Sequence, residues 1–85
     1  MKHAGQQALD SLEDLLVEIR KIKGLTERKR GAFYLKSAGM LHFHEDPAGM
    51  FADIKVDGEW RRISVNTSAE HRALLKTLAT VVGIR

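Results

Sequence analysis

Two histidines on alternate residues, His42 and His44 in "LHFHED", are the side chains of this sequence best suited to chemistry. Alternate positions of an extended strand face the same side, so both imidazoles reach toward one point, as double-histidine metal sites require. A usable site wants a third ligand, which would come from Asp53, Glu45, Asp46 or His71, and none of these stands at a diagnostic spacing. The metal reading takes His42, His44 and Asp53 as its set. The plainer reading is two surface histidines, one paired to a carboxylate, with no metal and no cofactor, and the spacing favours it. With no cysteine in the chain, thiolate ligands, disulfides and thiol nucleophiles are all excluded.

His42 beside Asp53 would also make an oriented general base, yet the same pair serves equally well as a cross-strand contact. Ser37, Ser64, Thr67 and Ser68 supply hydroxyls, but no glycine-framed nucleophile turn and no phosphate-cradling glycine loop surrounds them. A non-enzymatic protein is the expectation, with no catalytic residues.

These side chains need a strand under them, and the sequence provides several. From Ala32 to Val65 the hydrophobic period is two, broken by hairpin punctuation. "AFYLK" and "MLHFH" are separated by Ser37, Ala38 and Gly39, read as a three-residue turn; "EDPAG" turns the chain into "MFADIKV"; Asp57-Gly58 leads into "EWRRISV". Four antiparallel strands result. Before them, Leu9, Leu12, Leu15, Leu16, Ile19 and Ile22 fall on one stripe of a helix over residues 7–22, which Gly24 is placed to stop, and "TERKRG" reads as a polar connection. After them, Thr67 and Glu70 form a capping box for a helix carrying Leu74, Leu75, Leu78 and Val82. The predicted fold is α+β, a two-layer sandwich of order α-β-β-β-β-α, with both helices on one face of a four-stranded antiparallel sheet and residues 1–85 in a single domain.

Alternation assigns Phe33, Leu35, Leu41, Phe43, Met50, Ala52, Ile54, Val56, Ile63 and Val65 to the covered face. The open face is then expected to carry a row Tyr34, His42, Asp53, Arg62, flanked by His44 with Phe51 and by Met40 with Trp60. Aromatic side chains on an uncovered sheet tend to meet something. Self-association, as in a homodimer, or capture of an unknown protein partner is the expected use of this face. A nucleic-acid-binding sheet using Trp60, Phe51 and the basic residues Lys21 to Arg30 is the alternative, although neither of the sequence motifs of RNA-binding sheets is present.

Composition agrees with a small globular chain. Eighty-five residues, 44% of them hydrophobic, suffice for one core, and a net charge of +3 is too mild to demand nucleic acid. No apolar run is long enough to span a bilayer and the first residues contain no signal-like apolar stretch, so a cytoplasmic location without membrane contact is expected.

Across roughly residues 24–75, "KGLTERKRGAFYLKSAG" followed by "LHFHEDPAGMFADIKVDGEWRRISV" resembles a family of short uncharacterised bacterial proteins sharing an "LHFHEDPAG…FAD…GEW" core. That resemblance implies a bacterial, cytoplasmic context and assigns no active-site residues. The H-x-H strand is also faintly similar to luciferase-like domains, whose downstream D-G-S-x-H pattern is missing here. The order of elements resembles frataxin, but the acidic ridge expected for iron would contain Arg20, Lys21 and Lys23.

Overall fold

A computed structural model describes residues 2–83. The described chain runs β1 (Lys2–His3), α1 (Gln6–Ser11), α2 (Glu13–Arg20), β2 (Leu25–Lys29), β3 (Ala32–Leu35), β4 (Ala38–Asp46), β5 (Gly49–Val56), β6 (Glu59–Ser64) and α3 (Ser68–Gly83). The α+β class holds, but the sheet has six strands rather than four. Its order is β2-β3-β4-β5-β6, all antiparallel, with β1 paired to β4. The segment read as a polar connection forms β2, an edge strand whose side chains are mostly exposed, so no apolar alternation marked it.

The first helix is two. Leu12 leaves helical geometry (φ −101°, ψ 7°), and its N–H bonds Leu9 O three residues back, tightening the chain between α1 and α2. The break lets Leu9 and Leu12 on one side and Leu15, Leu16 and Ile19 on the other all reach the core. There they meet Leu74 and Leu78 of α3 and the expected sheet residues Phe33, Leu35, Leu41, Phe43, Ala52, Ile54 and Val65, all buried, with Met50, Val56 and Ile63 partly buried beside them. The capping box closes reciprocally: Glu70 N–H donates to Thr67 Oγ1 at 3.1 Å, and Thr67 N–H donates to Glu70 Oε1 at 3.2 Å.

The hairpins fix the register on which the site depends. Asp57 and Gly58 take positive φ (53° and 81°) as a two-residue turn, and this sets Lys55 opposite Trp60 and Asp53 opposite Arg62. Closure of Asp46 on Gly49 sets His42 opposite Asp53 and His44 opposite Phe51, as the sequence predicts. The β3–β4 turn differs from expectation. Lys36 and Ser37 both adopt positive φ (51° and 74°), and Leu35 pairs with Ala38, leaving only two residues in the turn. An irregularity in the ladder then sets Phe33 opposite Leu41 but Tyr34 opposite Gly39, so Tyr34 does not face His42. The extra residue, Met40, is buried in the core instead of lying on the open face beside Trp60.

Candidate metal centre

Strand β4 is nine residues long and uses two partners along one edge: β3 pairs with residues 38–41, and β1 pairs with 44 and 45. The pairing of β1 sets His3 opposite His44. Two further bonds hold that short strand. Ala4 N–H donates to Phe43 O at 3.0 Å, and Gly5 N–H donates to Glu45 Oε2 at 2.7 Å. His3 thereby joins His42 and His44, and one ring nitrogen from each of the three lies within 4.8 Å of the other two. The His3 ring stacks on His44 (centroids 4.6 Å apart, planes 28°), and the His42 ring meets His44 edge-on at 4.9 Å.

Asp53 organises the group from β5. Its carboxylate accepts both Arg62 Nε and Nη2 at 2.8 Å and lies 3.0 Å from His44 Nε2. The cross-strand neighbour of Asp53 is His42, but its close imidazole contact is the diagonal one to His44, whose Nε2 is hydrogen-bonded to His42 Nδ1. Arg62 holds the Asp53 carboxyl below its ordinary range, chiefly through these two hydrogen bonds. A charged carboxylate calls for a proton on His44 Nε2, and His42 Nδ1 at 2.9 Å can share that proton as an acceptor. His44 is then left with its lone pair on Nδ1, an atom that is buried and has no hydrogen-bond partner. A histidine oriented by a carboxylate through one nitrogen and free at the other is the usual arrangement of a metal-ligating imidazole. Burial, and after it the neighbouring His44, push the His42 pKa down, which favours the neutral ring; its one lone pair, on Nδ1, faces His44 Nε2 and becomes available to a metal when that contact opens.

Nitrogen ligands of a tetrahedral zinc ion lie about 3.4 Å apart; one nitrogen of each ring already lies within 4.8 Å of the others, and ligation through His44 Nδ1 asks in addition that the imidazoles turn and the His42–His44 contact open. His3, exposed and on a two-residue strand, has that freedom.

The other residues predicted for this face divide clearly. Trp60, 48% exposed, leans over His42 with ring centroids 4.9 Å apart, and Lys55 Nζ lies 5.7 Å from its ring. Phe51 is half-buried beside His44. Tyr34 is out of register with His42 but lines the same cleft, with the Arg28 guanidinium over its ring at 4.5 Å. The face called open is therefore roofed in part by its own side chains, and both His44 and Asp53 are only 9% exposed. Of the other possible third ligands, Glu45 binds Gly5 N–H, Asp46 binds Ala48 N–H, and His71 Nε2 donates to Val65 O. Sequence reasoning missed His3. Two residues of strand are too few to show alternation, and only its residue type marked it.

Part of the basic cluster is occupied. Arg20 binds Glu13 and Glu27, Arg30 binds Asp10 and Glu13, and Lys21 binds Glu18. The Arg20–Glu27, Arg30–Asp10 and Arg30–Glu13 pairs tie the acidic helices to the β2–β3 hairpin, leaving less positive charge for phosphates than the sequence suggests.

Because neither partner covers the middle of β4, a cleft of about 740 Å³ opens there between the β1–α1 segment and the β2–β3 hairpin, with His3, His42 and Phe43 among its lining residues. No helix among the described residues is long and apolar enough to cross a membrane. Comparison with protein-family models, curated proteins and solved structures finds no match.

Proposed function

We propose that this protein binds a divalent transition metal of the zinc class through His3, His42 and His44, with Asp53 orienting His44. The observation that carries the reading is the convergence of three imidazoles from two adjacent strands, one of them with a buried ring nitrogen that has no other partner. An all-imidazole set suits zinc, copper or nickel better than magnesium or calcium, which favour oxygen. Addition of zinc to metal-free protein is the test. A bound ion at one hundred times its dissociation constant stabilises the fold by about 2.7 kcal/mol, which for a domain of this size raises Tm by about 10–20 °C. Alanine at His3, His42 or His44 is expected to abolish the rise while each variant still melts cooperatively. An unchanged parent Tm at millimolar zinc, or a rise that survives in His42→Ala, refutes the reading.

A second reading, self-association through the same sheet face, is favoured by the exposed indole of Trp60 beside half-buried Phe51. It predicts a dimer in sedimentation that loses its affinity when both rings are replaced by polar side chains.

A further inference from the structure

We infer that the metal in this centre keeps an exchangeable position facing the cleft, and that the cleft admits a small organic acid whose carboxylate fills that position. The inference rests on the zinc-class reading above and adds the ligand.

Three protein ligands leave a four-coordinate ion one position short, as in zinc sites that bind water or substrate. Two of the three ligands, His3 and His42, line the cleft, whereas His44 does not and is buried behind them. The free position therefore opens toward the cleft. Its volume of about 740 Å³ lies within the range of small-molecule sites, roughly 300–1,000 Å³.

The lining indicates which molecule. Leu9, Phe43, Ala4 and Ala32 give it apolar walls suited to a hydrocarbon body. Its charged lining residues are Lys29 and Arg30, and no acidic side chain among the described residues lines it. Arg30 already binds Asp10 and Glu13, but Lys29 enters no salt bridge among the described residues. A metal cation at one side and one ammonium without an ion-pair partner at the other select an anion, and the apolar walls select an organic carboxylate over inorganic phosphate.

Cobalt-loaded protein tests this directly, because the visible bands of cobalt(II) respond to a change of ligand. Titration with benzoate is expected to shift the bands and saturate, with inorganic phosphate binding more weakly. Lys29→Glu should weaken benzoate by about tenfold or more with cobalt affinity unchanged, and Lys29→Arg should restore most of the loss. Cobalt bands that ignore benzoate, a Lys29→Glu variant that binds it as well as the parent does, or phosphate binding more tightly than benzoate each overturn the inference and leave the metal reading standing. Failure of cobalt to bind at all overturns both.

Discussion

Replacing Asp53 with asparagine removes one charge and almost no volume, which isolates what that charge does. In the parent it lies 3.0 Å from His44 Nε2 in a buried setting and accepts from both nitrogens of the Arg62 fork at 2.8 Å. The Arg62 side chain is 48% exposed, so water takes over much of that pairing and little stability should be assigned to it. The His44 contact has no such relief. Taking the charged neighbour away from a buried polar group costs about 1–3 kcal/mol, so a net loss of about 2 kcal/mol is expected. For a domain of this size that lowers Tm by about 8–16 °C near neutral pH. The pH dependence has a definite sign. The native carboxyl pKa is depressed below its ordinary value of 3.8, so its stabilisation is complete above that pH and disappears as pH falls through the lowered native value. Thermal melts of parent and variant should therefore differ by a constant amount near neutrality and converge in acid. Metal affinity should fall as well, by about 10–100-fold, the usual cost of losing the partner that orients a ligating histidine. A variant melting within a degree of the parent at about pH 7, or a gap that persists undiminished at about pH 2, would refute the reasoning.

Phe43→Ala removes a core ring that is only 3% exposed and is expected to cost about 3–5 kcal/mol, read as loss of the cooperative melt. Trp60→Gln combined with Phe51→Thr should leave Tm nearly unchanged and reduce any self-association in sedimentation; loss of the melt would instead make these rings part of the core. Gly31→Ala introduces a Cβ at 2.7 Å from Leu9 Cδ2 at a backbone φ of +80°, so a loss of about 1–2 kcal/mol in denaturant titration is expected.

Much of the site's frame is legible in the sequence because hairpin turns set register. The Asp57-Gly58 turn alone places Asp53 opposite Arg62, and the next hairpin carries the row to His42. Both turns use residues whose preferences match their geometry. The β3–β4 turn does not, since Lys36 and Ser37 adopt positive φ without glycine, and the slip it introduces buries Met40 and separates Tyr34 from His42. Tertiary pairing also overrides local signal at both edges: β2 is polar because it lies at the rim, and β1 exists through its bonds to β4. His3 was hidden for that reason. A ligand that arrives by long-range pairing leaves no periodicity in its own neighbourhood.

The shortness of β1 has a mechanical consequence. With two residues, this strand is the part of the sheet with the fewest bonds to break, so it should open before the remainder unfolds, and each opening withdraws one of the three imidazoles. Affinity for the cation is then scaled by the fraction of molecules in which β1 is docked. The dependence runs in both directions. An ion gripped by His3 and His42 is a clasp across a loop that contains α1, α2, β2 and β3, and closing that loop restrains the whole amino-terminal half of the chain. Amide hydrogens of α2, which supplies no ligand, should then exchange more slowly when metal is bound, making the occupancy of three side chains audible across half the molecule.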